Sequence, residues 1–235
     1  MTESEENLII PKHLGFILDG NRRWAKEKGL PTLEGHRKGF KRLTELADNC
    51  LELGVEHVTT YCFSTENWSR DKKEVSYLMD LFREMLDKTI KKFHEKDIRF
   101  VLAGRLQDFP KDIQEKATKA MELTKDNKSL TFNAALSYGG HAEIIDATKK
   151  IIEDGLKAEE INEEMFARYL YEAGQPPLDM IVRTSGEKRS SGFMLWQSDY
   201  AEFYFIEDKH WPEFDKEQLK RVITEYTSRE RRFGK

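Results

Sequence analysis

The sequence predicts a single-domain α/β fold, with a mainly parallel central sheet flanked by helices. Short apolar runs typical of buried strands alternate with longer amphipathic segments of helical period along the chain. Four polar clusters each follow directly after a predicted strand. Because the carboxyl ends of parallel strands meet at one edge of a sheet, these clusters should form one site.

The predicted strands are short runs rich in apolar, β-branched and aromatic residues. The run HVTTYCF at 57–63 is a clear example, and the polar segment STENWSR follows it at once. In order along the chain, the predicted strands are 14–18, 57–63, 98–103, 130–137, 178–182 and 202–206.

The predicted helices repeat apolar residues at positions i, i+3, i+4 and i+7. The longest, over 72–95, keeps this rhythm throughout, and Asp71 and Glu74 are placed as its capping box. Pro110 occupies the first turn of another helix. In order, the predicted helices are a short one ending at Gly29, then 35–53, 72–95, 110–125, 142–155, 162–173 and 215–229. No repeat or interdomain linker interrupts this alternation, so residues 1–235 are predicted as one domain, with 1–7 a disordered tail.

Composition narrows the class of protein. A net charge of −4 argues against broad electrostatic binding of nucleic acid, so any anion site must be local. No run of about 18 apolar residues exists, and the acidic N-terminus is unlike a signal peptide. Cys50 and Cys62 lack the spacing of metal ligands. These features predict a reduced, cytoplasmic protein without a transmembrane segment.

The stretch HLGFILDGNRRWAKEKG at 13–29 predicts a phosphate site. A buried strand runs into Asp19 and Gly20, and a helix then begins with two arginines. Helix N-termini, glycine and arginine all suit phosphate, whereas the carboxylate of Asp19 would repel it. A divalent metal between Asp19 and a phosphorylated substrate would resolve that conflict.

Five arginines follow predicted strands, and His36 lies close to the first of them in sequence. The arginines are Arg22, Arg23, Arg70, Arg183 and Arg189. Five guanidinium groups exceed what one phosphate monoester needs, so two diphosphates, or a nucleotide with a second phosphorylated substrate, fit better. The chain has neither G-x-x-x-x-G-K-[ST] nor G-x-G-x-x-G after the first strand, which makes nucleotide binding the weaker reading.

Two assignments stay open from the residues alone. Glu202 opens the last predicted strand, and it is equally well explained as a metal ligand or as an ordinary strand-end carboxylate. Asn67 and Trp68 are equally well explained as part of a turn that covers the core or as part of the site.

Seven segments in order resemble the cis-prenyltransferase family. They are DGNRRWA (19–25), GH (35–36), YCFSTENWSR (61–70), YGG (138–140), IVRTSGEKR (181–189), LWQSDYAEFYF (195–205) and RERRFG (229–234). The resemblance implies a homodimer with an apolar tunnel between the helices at 36–53 and 72–95. It also implies the Mg²⁺-dependent condensation of farnesyl diphosphate with successive isopentenyl diphosphates, giving a polyprenyl diphosphate such as undecaprenyl diphosphate for delivery to the membrane surface.

The resemblance also assigns roles to residues. Asp19 and Glu202 would bind the metal, and Asp19 and Asn67 would be catalytic, although a neutral amide suits orientation of the substrate better than proton removal. The implied substrate-binding residues are Gly20, Asn21, Arg22, Arg23, Trp24, His36, Ser64, Thr65, Glu66, Trp68, Arg70, Arg183, Arg189, Ser190, Ser191, Arg232 and Gly234.

The chain departs from the usual family pattern at Arg22, Thr32, Ser185 and Gly192. These departures leave the reaction type intact and the choice of substrate open. Alternatives are a shorter product, a non-catalytic partner subunit, and a phosphosugar or nucleotide-binding enzyme. The arginines and Asp19 argue against the second, and the missing phosphate loop argues against the third. The small side chain of Cys62 favours the long product over the short one.

Overall fold

A computed structural model of the chain describes residues 8–229, and it confirms the predicted α/β class. Its sheet has six strands in the order β3–β4–β2–β1–β5–β6, and every neighbouring pair is parallel. The strands are β1 His13–Ile17, β2 His57–Ser64, β3 Ile98–Ala103, β4 Leu130–Tyr138, β5 Met180–Arg183 and β6 Glu202–Phe205. The predictions for residues 1–7, Arg232 and Gly234 lie outside the described residues.

Eight α-helices occur within residues 8–229. They are α1 Asn21–Glu27, α2 Thr32–Glu52, α3 Lys72–Glu84, α4 Ile90–Glu95, α5 Lys111–Thr124, α6 Gly140–Glu153, α7 Glu163–Ala167 and α8 Lys216–Ser228. In this described part of the chain, no helix is both long and apolar enough to cross a membrane.

Both faces of the sheet are covered, which is why β1 is buried at every position. Leu14 and Phe16 face the larger core, which includes buried residues of α2, α3 and α8. Ile17 faces a smaller cluster with Phe193 and Met194, from the loop between β5 and β6. Since β1 is central, the residues that follow it lie in the middle of the carboxyl edge of the sheet.

Two helix predictions need correction. The helix predicted over 72–95 is interrupted by a π-helical turn, Met85–Thr89, which shifts the register so that Met85, Ile90 and Phe93 all remain buried. The helix predicted over 162–173 ends at Ala167, because the chain then continues in turns to Gly174, which has a positive φ.

Candidate active site

The turn after β1 places Asp19 and Gly20 at the carboxyl edge of the sheet. Gly20 has φ +100° and forms the N-cap of α1. A β carbon at this position would lie 1.9 Å from Ser185 Oγ and 2.6 Å from His210 Nδ1. Only glycine therefore allows the turn to pack this closely against its neighbours.

Asp19 is held between two arginines from different elements. Its Oδ1 lies 2.9 Å from Arg23 Nη2, on α1, and its Oδ2 lies 2.9 Å from Arg183 Nη2, on β5. Burial opposes ionisation, but the hydrogen bonds from Arg183 and Arg23 outweigh it and lower the pKa of the Asp19 carboxyl below its usual value. Asp19 is therefore an anion at neutral pH, and its side chain is still 27% exposed.

Arg183 and the loop after β5 form the second group of cations. Arg183 Nη1 donates to the Arg189 carbonyl at 2.5 Å and to Ser191 Oγ at 2.8 Å. Its buried Nε has no hydrogen-bond partner among the described residues. Arg189 is more exposed and pairs with Glu187 at 2.6 Å, and the same carboxylate lies 3.4 Å from Arg23. Ser190 lies between Arg189 and Ser191 and is half-buried.

A third group is organised by Glu74, at the start of α3. The side chain of Glu74 is nearly buried, and its Oε1 lies 2.9 Å from His36 Nε2 and 3.2 Å from Arg70 Nη1. Arg22 lies 4.0 Å from its other oxygen. Burial lowers the pKa of His36, partly offset by the hydrogen bond to Glu74. The predicted capping box is wrong in this respect, because Asp71 caps α3 while Glu74 turns into the site.

These charged groups line a polar cavity, and a second cavity with a mixed polar and apolar lining adjoins it. The polar cavity, of about 290 Å³, is lined by Leu18, Asp19, Gly20, Asn21, Arg22, Arg23, His36 and Arg70. The adjacent cavity, of about 110 Å³, lies between α2 and α3 and includes Phe40, Leu43, Leu78 and Phe82. Four lining residues belong to both cavities: Leu18, Asn21, His36 and Arg70.

The segment after β2 contributes less directly. Asn67 lines the cavity between α2 and α3, and its Oδ1 accepts a hydrogen bond from the Ser64 N–H at 3.1 Å. Trp68 packs edge-on against Phe63 and donates to Ser137 Oγ, so it covers the core. Thr65 and Glu66 follow the end of β2, whereas Ser64 is the last residue of that strand, one residue beyond the predicted end. Trp24 is half-buried on α1.

Glu202 lies apart from this site within one chain. It opens β6 and pairs in register with Met180, at the start of β5, whereas Ile17 pairs with Arg183, at its end. That difference is about 10 Å along the strands, in the direction away from Asp19. Glu202 instead pairs with Arg229 at 2.7 Å. One chain therefore does not bring the two predicted metal ligands together.

Three residues of the site are not among the site residues predicted from the sequence. Glu74 and Glu187 are carboxylates that organise the arginines, and His210 contacts Ser185 from a distant segment. The i, i+4 spacing of Arg70 and Glu74 could have indicated that Glu74 pairs with an arginine of the site. No local pattern indicates His210, because its contacts depend on tertiary packing.

The residues present suit Mg²⁺ only as part of a substrate complex. The described residues contain no group of three or more His, Cys, Asp or Glu that could hold a metal. Mg²⁺ commonly binds through one or two carboxylates together with phosphate oxygens and water. The accessible carboxylate of Asp19, beside a cavity lined by arginines, fits that mode.

Comparison with known proteins gives the same family. Residues 17–234 match the family model described as putative undecaprenyl diphosphate synthase. An isoprenyl transferase of Clostridium perfringens is 43% identical over 99% of this chain and 94% of its own length. A tritrans,polycis-undecaprenyl-diphosphate synthase (geranylgeranyl-diphosphate specific) of Pyrococcus furiosus is 44% identical over 97% of this chain and 88% of its own length.

A solved structure extends the likeness to the fold. The lavandulyl diphosphate synthase of Lavandula x intermedia, in complex with dimethylallyl diphosphate, superposes with a TM-score of 0.91 at 33% identity. The match covers 96% of this chain and 98% of that one. The chain therefore belongs to the undecaprenyl diphosphate synthase family of prenyltransferases.

Proposed function

We propose that this prenyltransferase elongates farnesyl diphosphate with successive isopentenyl diphosphates, forming cis double bonds and releasing a polyprenyl diphosphate. The proposed product is undecaprenyl diphosphate. The observation that carries the proposal is the polar cavity around Asp19 and Arg22, which shares four lining residues with the cavity between α2 and α3, where Phe40, Leu43, Leu78 and Phe82 supply apolar surface. An allylic diphosphate likewise has a charged head, which suits the arginines, and an apolar tail, which suits the apolar surface.

The chemistry needs stabilisation of a leaving diphosphate. The C1–O bond of the allylic substrate breaks, a bond forms from C1 to the isopentenyl double bond, and a proton leaves the new chain. Negative charge therefore develops on the diphosphate, where Arg22, Arg23 and Arg70 would offset it. When bound, Mg²⁺ would neutralise further charge on the same oxygens, and Asp19 would hold it.

The second substrate would lie on the β5 side of Asp19. Arg183 offers an unpartnered buried Nε, and Arg189, Ser190 and Ser191 follow it in the same loop. This arrangement supports Arg183 and the loop as the site for the isopentenyl diphosphate. Asn67, whose carbonyl oxygen is already used by the Ser64 N–H, suits orientation of the substrate with the released diphosphate as proton acceptor.

We also propose a homodimer, with the cytoplasm as its location. β6 is an edge strand, and its aromatic residues Phe203, Tyr204 and Phe205 are only partly buried in one chain. A half-buried apolar edge favours association with a second copy. A homodimer would also allow Glu202 of one chain to act at the site of the other. Light scattering coupled to size-exclusion chromatography should give a mass near twice 27.6 kDa, and a monomer would refute the proposal.

The cavity between α2 and α3 favours a second candidate, a shorter product. Its volume of about 110 Å³ is well below the roughly 300–1,000 Å³ usual for ligand pockets. Phe40, Leu78 and Phe82 all border it, so a long chain would require α2 and α3 to separate. A short- or medium-chain product needs less movement.

One assay tests both candidates. Purified protein is incubated with farnesyl diphosphate, radiolabelled isopentenyl diphosphate and Mg²⁺, and the extracted products are resolved by chain length. A ladder ending at undecaprenyl diphosphate supports the long product, and a shorter limit supports the second candidate. No labelled lipid from the wild-type protein would contradict both, and omission of Mg²⁺ tests the metal requirement.

A further inference from the structure

The backbone carbonyl of Asp19 is held by three hydrogen bonds. It accepts hydrogen bonds from Thr184 Oγ1 at 2.7 Å, Ser185 Oγ at 3.0 Å and the Trp211 N–H at 2.9 Å. Three donors from two distant segments therefore fix the peptide that precedes Gly20. The orientation of the Asp19 side chain depends on this peptide.

Ser185 connects this carbonyl to a histidine. Its hydroxyl oxygen lies 2.6 Å from His210 Nδ1, and its N–H donates to the Lys209 carbonyl at 2.9 Å. Ser185 has φ +76°, a strained conformation for a residue with a side chain. The contacts with Lys209 and His210 offset that strain and keep the hydroxyl beside Asp19.

His210 then reaches the far end of α1. Its Nε2 lies 2.9 Å from Oε1 of Glu27, the last residue of the helix. His210 is 15% exposed and Glu27 is 63% exposed, so the imidazole is fixed by packing while the carboxylate is at the surface. We call Ser185, His210 and Glu27 the His210 relay.

The relay holds both ends of α1 against the turn after β5. At the start of the helix it acts through the Asp19 carbonyl, and at the end it acts through Glu27. Between these points α1 carries Arg22 and Arg23. The relay thus fixes the α1 arginines relative to Arg183, although none of its side chains lines the polar cavity.

We propose that His210 is a positioning residue that orients α1, through Ser185 and Glu27, for binding of the allylic diphosphate. The inference rests on the proposed function, because it assigns the α1 arginines to the allylic substrate and the loop after β5 to the second substrate. Loss of the relay should therefore weaken one substrate selectively.

The test compares KM values for the two substrates. In His210→Ala the KM for farnesyl diphosphate should rise about tenfold, the effect of losing one or two hydrogen bonds that involve charge. The KM for isopentenyl diphosphate should stay within about twofold, the limit expected when no direct contact is lost. Ser185→Gly, which removes the hydroxyl and relieves the positive φ, should give the same selective rise. The double variant should be no worse than His210→Ala, since both changes interrupt one connection.

Two further variants separate positioning from packing. His210→Asn can place an amide nitrogen where Nδ1 contacts Ser185, and it should recover part of the loss. His210→Leu fills similar space without polar atoms, and it should not recover it. Glu27→Gln weakens the contact with His210 Nε2 and should also raise the KM for farnesyl diphosphate. Its control is Glu122→Gln, at an exposed position on α5, which should match the wild type.

The outcomes are distinct. If the wild type makes no prenyl product, the proposed function fails. If the wild type is active and the relay variants keep its KM for farnesyl diphosphate, the relay has no positioning role. Equal rises in both KM values, or full recovery by His210→Leu, would also overturn the inference.

Discussion

Asp19 is the residue on which the electrostatics of the site depend. Its two carboxylate oxygens face Arg23 and Arg183, and its lowered pKa keeps it charged. Asp19→Asn retains the size of the side chain and removes the charge that pairs with the arginines and that the proposed metal would require. We expect kcat to fall by about 10² or more, comparable to the loss of one preorganised electrostatic group.

The measurement is steady-state kinetics with both substrates at saturation, beside Asp112→Asn. Asp112 is an exposed aspartate that pairs with Arg83 on the outer surface, so its variant should keep wild-type kcat. An Asp19→Asn enzyme with more than half of the wild-type kcat would show that the proposed metal role is wrong. Thermal unfolding of both variants checks that the protein remains folded.

At the level of single residues, the arginines of the site could be predicted from the sequence better than the carboxylates that pair with them. Arg22, Arg23, Arg70 and Arg183 follow predicted strands, and the topology brings them to one edge. The sequence predicts Glu74 as part of a helix cap, because the local capping pattern explains its position fully. Its contacts with His36 depend on how α2 and α3 pack, and no local rule describes that packing.

At the element scale, the close crossing of α1 and α2 positions the side chains that are proposed to bind the substrate. Gly35 and Gly39 are buried on α2, where a β carbon would lie 2.0 Å from the Asn21 carbonyl oxygen and 2.1 Å from Asn21 Oδ1, respectively. The helices approach closely only because both positions lack side chains. Glycine here therefore has a role in placing Asn21.

Gly39→Ala is informative because we expect it to destabilise the protein, whereas a Gly→Ala change in a helix usually stabilises it. In an exposed helix interior this substitution stabilises by about 1 kcal/mol. At position 39 we expect destabilisation of about 1–3 kcal/mol by overpacking, with displacement of Asn21 and a higher KM for the allylic substrate. Urea unfolding measures the first effect and kinetics the second.

Lys41→Ala, at an exposed position of the same helix, is the control and should change stability by less than about 0.5 kcal/mol. Stabilisation by Gly39→Ala would mean that α1 can move away without loss. In that case the close crossing would not position Asn21.

For the whole molecule, the order of elements could be predicted from periodicity, because each element buries one apolar face. The π-helical turn Met85–Thr89 could not be predicted in this way, because the residues on either side of it keep the apolar spacing of one continuous helix. A buried polar network away from the candidate active site could not be predicted from the sequence either. It joins His13 on β1, Thr59 on β2 and Glu172 in the segment before β5, although these residues are far apart in sequence.

Hydrogen-bond geometry indicates the protonation state of this network. His13 Nδ1 lies 2.8 Å from the Pro176 carbonyl, so a neutral ring carries its proton there and Nε2 accepts from Thr59, at 2.8 Å. Thr59 has one hydrogen, and it therefore cannot also donate to Glu172, at 3.0 Å. Glu172 must supply the hydrogen itself. Burial accordingly raises its pKa to about 8 and lowers that of His13 to about 4.

The pKa shifts of Glu172 and His13 predict how the stability of the protein changes with pH. Between about pH 4.5 and 6.5 the unfolded chain releases a proton from Glu172 and retains one on His13, so the two contributions oppose each other. From about 6.5 to 8, Glu172 is the one of these two groups whose protonation differs between the folded and unfolded states. Stability should then fall by about 2 kcal/mol over that interval as pH rises.

Glu172→Gln tests this contribution, because its amide can donate to Thr59 at every pH. The variant should lack the fall between pH 6.5 and 8, so its free energy of unfolding relative to the wild type should increase across this interval. Urea titrations at pH 6.5 and 8 measure the difference, with the exposed Glu122→Gln as a control that keeps the wild-type slope. If wild type and Glu172→Gln show equal slopes, Glu172 is already ionised in the folded protein, and His13 and Thr59 must share their hydrogens differently.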